Sequence, residues 1–121
     1  MNGVPADLPV QALVGCDLTH IGLSMHTIQL HFEKDGYISI EGDWCLRDSR
    51  GLAIDQSIDP PSSRKSYQIH RLLMQSVVAA SVDAPESFTL TFANGDSLTV
   101  LDSWPTYESF TLRVNGCGFY I

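Results

Sequence analysis

Apolar and polar residues alternate in the same order in two stretches of the chain sixty positions apart. Ile28, Leu30 and Phe32 align with Phe88, Leu90 and Phe92, and Ile38, Ile40 and Trp44 with Leu98, Val100 and Trp104. The residues between are polar in both copies: Gln29 with Thr89, His31 with Thr91, Ser39 with Thr99. A period of two marks strands with one buried and one solvated face, so each copy predicts a β-hairpin followed by a tryptophan. Register selects the second turn. A two-residue turn at Asn94-Gly95 would set Thr91 opposite Leu98 and split the apolar residues between two faces. A three-residue loop, Ala93-Asn94-Gly95, sets Leu90 opposite Leu98 and Phe88 opposite Val100, with Gly95 left-handed. In the first copy Gly36 stands one position later, which predicts a loop of odd length and different shape, about five residues.

A third strand precedes each hairpin: "THIGLSM", where Ile21, Leu23 and Met25 alternate, and "SVVAASV". After the second hairpin come "YESFTLRV", where Phe110, Leu112 and Val114 alternate, and a last edge, "GFYI". Between the halves, "DPPSSRKSYQIHRLLMQ" carries two prolines, a serine that could cap a helix, then Tyr67, Ile69, Leu72, Leu73 and Met74. The expected class is α+β, mostly β: an antiparallel sheet, half-barrel or two-layer, built from two strand-strand-strand repeats with one helix between them. Residues 1–121 form a single domain in this reading, with a flexible arm at 1–12, the first repeat at 18–48, the helix at 62–75, the second repeat at 76–104 and C-terminal strands at 107–121. A duplicated scaffold explains the repeat without invoking a site.

Length adds that one core can be buried without metal or disulfide. Charge adds more. Fourteen acids face seven bases, a net charge of −7, which repels nucleic acid and anionic membrane surfaces and suits a basic partner. Residues 1–15 lack the basic start and long apolar run of a signal peptide, and the stretch around "SVVAASV" is too short to span a bilayer. Cys16, Cys45 and Cys117 are odd in number and form no CxxC pair, as expected of buried thiols in the cytoplasm.

Candidate chemistry is sparse. His20 and His26 share a strand parity, but no carboxylate or cysteine completes a zinc pattern, and His31 falls on the solvent parity. No GxSxG elbow and no glycine-rich phosphate loop occurs. Glu41 and Asp43 share a strand face, as a general acid and base would, although paired acids on a solvated face are commonly only that. Arg64, Lys65 and Arg71 gather on the expected helix, the first two near its N-terminus, where cations are unfavourable. No catalytic residue, metal or cofactor is expected, and the protein reads as a non-enzyme.

What remains is surface. Glu33, Asp35, Glu41, Asp43 and Asp48 surround the first hairpin, and Asp96, Asp102 and Glu108 hold related places in the second. "SWPTYES" sets Trp104 and Tyr107 beside Asp102 and Glu108. Rigid aromatics ringed by acids would anchor and steer a basic protein. The candidate partner-binding set is therefore Glu33, Asp35, Glu41, Asp43, Asp48, Asp102, Trp104, Tyr107 and Glu108. Trp104 reads equally well as core.

The hairpin "LHFEKDGYISIEGDW", its echo "LTFANGDSLTVLDSW" and the following "YESF" resemble a family of small uncharacterised bacterial cytosolic domains, over roughly residues 13–114. Size, acidity and β-rich plan are similar to those of immunity proteins of contact-dependent and other polymorphic toxin systems. That resemblance implies a stoichiometric inhibitor without catalytic residues, whose partner is a cognate toxin domain, a basic nuclease plugged by mimicry of phosphate charge. Two other readings stay open: a small-ligand or regulatory binding module with a pocket between the repeats, cradled by Trp44 and Trp104, and a small enzyme using Glu41, Asp43 and a histidine. The final "CGFYI" either pairs with a second copy or is covered internally, so the oligomeric state is left open.

Overall fold

The computed structural model describes residues 3–24, 27–57, 67–102 and 109–121. In the first half β1 (Leu18–Leu23), β2 (Ile28–Phe32), β3 (Tyr37–Ile40), β4 (Trp44–Arg47) and β5 (Ala53–Gln56) follow one another. The second half repeats the series with β6 (Val77–Asp83), β7 (Ser87–Phe92), β8 (Ser97–Leu101), β9 (Phe110–Val114) and β10 (Cys117–Tyr120). All pairings are antiparallel: one sheet has the order β1-β2-β3-β9-β10, the other β5-β4-β8-β7-β6. Each half thus completes three strands of its own sheet and sends its last two strands to the other. The expected mostly-β, antiparallel architecture takes the two-layer form.

Alternation explains the core. Leu30 and Ile38 pair across β2 and β3, Leu90 and Leu98 across β7 and β8, and all four are fully buried. Phe88 of one sheet meets Phe110 of the other edge-on, ring centroids 5.0 Å apart at 66°. Aromatic pairs in that geometry add attraction beyond their buried area. Strand exchange makes the layers interdependent, because β9 can leave its sheet only by withdrawing Phe110 from the core both layers share.

The register expected of the second hairpin is observed: Phe88 faces Val100, Leu90 faces Leu98, and the Phe92 N–H reaches the Asp96 carbonyl at 2.9 Å, closing the loop 93–95 with Gly95 at φ +90°. The first loop differs from expectation. The Phe32 N–H reaches the Gly36 carbonyl at 2.8 Å, so this loop also holds three residues, Glu33–Asp35, not about five. Lys34 and Asp35 take the left-handed conformation (φ 61° and 62°), Asp35 at the position Gly95 holds in the other copy. A short polar side chain tolerates that region better than most. Gly36 instead answers a packing demand: a Cβ there would lie 2.7 Å from Leu13 Cδ2.

Expectation also fails over the described part of the helix, residues 62–66 lying outside the described residues. Among the described residues of 62–75 there is one 3-10 turn, Ile69–Leu72, and no α-helix. Ile69 and Leu72 are buried, but Leu73 is extended and Met74, 79% exposed, turns left-handed at φ 69°. The segment mirrors residues 10–16, where the 3-10 turn Val10–Leu13 runs into Gly15 at φ 90°. From the two turns the chains meet in a symmetrical junction. Gly15 N–H bonds the Val77 carbonyl and Met74 N–H the Leu18 carbonyl, both at 2.7 Å. Val77 and Leu18 N–H in turn reach the Cys16 and Gln75 carbonyls (3.0 and 3.1 Å), around a central bridge between Asp17 and Ser76. A helix continuing past Leu72 would forfeit those bonds.

Two further expectations are revised. The arm at 1–12 is, from Gly3 onward, folded onto the sheets: Val4, Leu8 and Val10 are buried, and the Val4 N–H binds the Pro85 carbonyl at 2.8 Å. The tryptophan match does not survive into register. Trp44 faces Val100, whereas the residue facing Ile40, the counterpart of Val100, is Phe110. Trp44 corresponds to Phe110, 66 positions on rather than 60, so the link before the exchanged strand is six residues longer in the second half. Trp104 itself lies outside the described residues.

Candidate functional site

The carboxylates singled out in the sequence fall into three situations. Several serve the fold. Glu33 Oε1 accepts the Asp17 N–H at 2.7 Å, linking the first loop to the junction. Asp48 Oδ1 accepts the N–H groups of Arg50 and Leu52 (2.9 and 3.1 Å) and so shapes the turn from β4 to β5. Asp43 Oδ1 accepts the Ser57 hydroxyl at 3.0 Å. Asp102 accepts the Gly3 N–H at 2.7 Å and the Ser109 hydroxyl at 2.8 Å, pinning the N-terminal segment to the end of β8. Burial raises the Asp102 pKa, but the hydrogen bonds donated to the carboxylate and a nearby positive charge outweigh that cost and hold it below the ordinary aspartate value. Asp35 and Glu41 are exposed. Trp104, Tyr107 and Glu108 lie outside the described residues.

These positions are spread over both sheets. Glu33 and Asp35 stand before β3, Glu41 and Asp43 after it, Asp48 at a turn of the other sheet, and Asp102 just past β8. Asp96 is not part of the surface at all. It is 1% exposed, accepts Arg71 Nε at 2.9 Å and Nη2 at 3.3 Å, and also takes the Asn94 amide at 3.0 Å. Trp44, 5% exposed, is core.

The outer face of the β1-β2-β3-β9-β10 sheet carries what sequence reasoning passed over. His20 pairs with His31, His31 with Tyr37, and Tyr37 with Arg113, a row of large side chains across four strands. The His20 and His31 rings meet edge-on at 5.2 Å, His31 and Tyr37 lie 4.8 Å apart, and the Arg113 guanidinium carbon is 5.7 Å from the Tyr37 ring centre. Gln29, His31, Asp35, Gly36, Tyr37 and Arg113 line a shallow depression of about 780 Å³ beside this row. The same row on the other sheet reads Ala79, Thr91, Ser97 and Arg47. A signal was present: His31 and Tyr37 both fall on the solvent parity, where their counterparts are the small Thr91 and Ser97. Among the described residues no three His, Cys, Asp or Glu side chains converge as metal ligands would. Nor is any helix among them long and apolar enough to cross a membrane.

Residues 9–119 match a family described as a family of unknown function, DUF6188. No curated protein and no solved structure matches the chain.

Proposed function

We propose that this chain, which belongs to the DUF6188 family, is a non-enzymatic binding protein of the immunity type, neutralising a basic toxin domain by stoichiometric association. The observation that carries the reading is the arrangement along β3. Glu33 and Asp35 precede the strand, Glu41 and Asp43 follow it, and Tyr37 stands between them on the outer face. Asp35 and Glu41 stand six positions apart along extended chain, about 20 Å, comparable to the reach of one partner's share of a protein interface. An aromatic anchor bracketed by negative charge suits a basic surface, since the ring supplies burial and the charges speed encounter. The net charge of −7 acts in the same direction.

The test is association with the domain encoded by the neighbouring gene, where the proposal expects a toxin, followed by stopped-flow mixing over a range of salt. A one-to-one complex is expected, and Asp35→Asn with Glu41→Lys should slow association about tenfold at low ionic strength, the gap closing near 0.5 M salt as screening sets in. Absence of a complex at low salt, or an association rate indifferent to both substitutions, would overturn the proposal.

A further inference from the structure

We propose that the depression between His31, Tyr37 and Arg113 is a binding site for a small planar molecule bearing a carboxylate or phosphate. This goes beyond the reading above and does not depend on it, since the charge it requires has the opposite sign.

Arg113 is the starting point. It is exposed on the outer face, and among the described residues no carboxylate forms an ion pair with it, although the chain holds fourteen acids and Arg71 is paired with Asp96. The Tyr37 ring beside it limits where the guanidinium can turn. A guanidinium held in place presents a rigid fork of N–H donors that matches two oxygens of a carboxylate or phosphate. Gln29 and His31 line the same depression and can each add a donor. The half-buried rings of His31 and Tyr37 offer flat apolar area for the body of the ligand.

Size and selectivity follow from the rest of the lining. Gly36 leaves no room beneath it for even a methyl group, so that part of the wall is backbone backed by Leu13 and Phe32. A volume of about 780 Å³ lies within the roughly 300–1,000 Å³ range of small-molecule sites. Asp35, also in the lining, would repel a second negative group and accept an N–H from the far end of the ligand. Long polyanions are disfavoured by the molecule's net charge, whereas one short oxyanion needs only the local field of Arg113. The sister sheet supplies the internal contrast: it keeps a cation, Arg47, at the place of Arg113, but sets Thr91 and Ser97 where the rings would be.

Titrating the whole protein with benzoate, adenosine monophosphate and inorganic phosphate, followed by NMR of the histidine and tyrosine ring protons, tests this directly. Benzoate or the nucleotide should shift His31 and Tyr37 saturably by about 10 mM, and inorganic phosphate should bind about tenfold more weakly for lack of a ring, a 1.4 kcal/mol difference. The tighter of the two planar probes identifies the preferred anion as carboxylate or phosphate. Arg113→Ala should weaken binding about tenfold or more, and Arg113→Lys should restore little of it because a single ammonium cannot replace the fork. If Arg113→Ala does not fold, His31→Thr with Tyr37→Ser provides the same test with residues the sister sheet already carries. No saturable shift, equal affinity for inorganic phosphate, or binding unchanged by these substitutions would each overturn the proposal.

Discussion

In the first half of the chain the hairpin loop Glu33–Asp35 rests on Leu13 through the bare backbone of Gly36; in the second, the corresponding loop is held by the ion pair of the exposed Arg71 with the buried Asp96. The positions are counterparts: Gly36 matches Asp96 in the loop-closing hydrogen bond, and Ala12 matches Arg71 in the two 3-10 turns. One scaffold therefore tolerates an apolar contact or a salt bridge at the same point, and neither need be explained by function. The outer faces differ in another way. On one sheet the row beside the loop is His20, His31, Tyr37 and Arg113; on the other, apart from Arg47, it is the small residues Ala79, Thr91 and Ser97, and in the next outward row of that sheet Thr89 and Thr99 meet hydroxyl to hydroxyl at 2.9 Å. Large rings on a solvated face contribute little to the core, and it is on this side that both proposed surfaces lie.

The comparison can be broken or sharpened by substitution. The largest effect belongs to the residues that occupy the same register place on the exchanged strands. Trp44→Ala and Phe110→Ala should each cost about 3–5 kcal/mol in denaturant unfolding, the penalty for emptying a buried aromatic site. A loss under about 1 kcal/mol for either would show that the exchanged strands are not equivalent. Next is the ion pair. Arg71→Ala should destabilise by about 2 kcal/mol, less than the ~3–5 kcal/mol of a fully buried pair because the Arg71 side chain is 42% exposed. Adding Asp96→Gly, which recreates the Ala12 and Gly36 arrangement, should recover most of the loss; a double variant worse than the sum of the singles would refute the equivalence.

Asp102 gives a pH signature in place of a fixed penalty. Its folded pKa lies below the ordinary value of 3.8, so the stability it confers is present above that value and is lost as pH falls through the folded one. Asp102→Asn should therefore be less stable than the parent at pH 7, with thermal midpoints converging below pH 4. A gap that stays constant down to pH 3 would show that the carboxylate charge is not involved. The smallest effect is at the junction. Met74→Gly should stabilise by less than about 1 kcal/mol, relief of left-handed strain being partly cancelled by glycine's unfolded entropy, while Gly15→Ala, its counterpart, should destabilise by a similar amount.

Strand positions and the register of the second hairpin were legible in the sequence because period-two alternation commits one whole face at once, and Leu90 against Leu98 leaves little choice. The first loop was misread because glycine was taken as the turn signal, when Gly36 answers to Leu13, a residue distant in sequence. The helix was misread because Ile69, Leu72, Leu73 and Met74 fit a helical spacing, yet the junction hydrogen bonds required the chain to leave the turn at Leu73. Strand exchange between sheets was invisible, since the sequence does not say which sheet an alternating strand joins. Charge alone did not separate the roles of the acids: Asp48, Asp96 and Asp102 accept hydrogen bonds that shape a turn, a loop or a terminus, while Asp43 accepts the Ser57 hydroxyl and stays exposed. The row of His20, His31, Tyr37 and Arg113 could have been found by comparing outward positions of the two copies as carefully as inward ones.

Isothermal titration of the domain encoded by the neighbouring gene, as the partner the proposal expects, into this protein and into two single variants, Tyr37→Ser and Ser97→Ala, weighs the two faces against each other. Binding should occur at one to one, fall about tenfold or more for Tyr37→Ser as expected of an aromatic anchor, and stay unchanged for Ser97→Ala at the matching place on the other sheet. Equal affinities for all three, or heat changes that never saturate, would contradict the assignment of the working surface to β3.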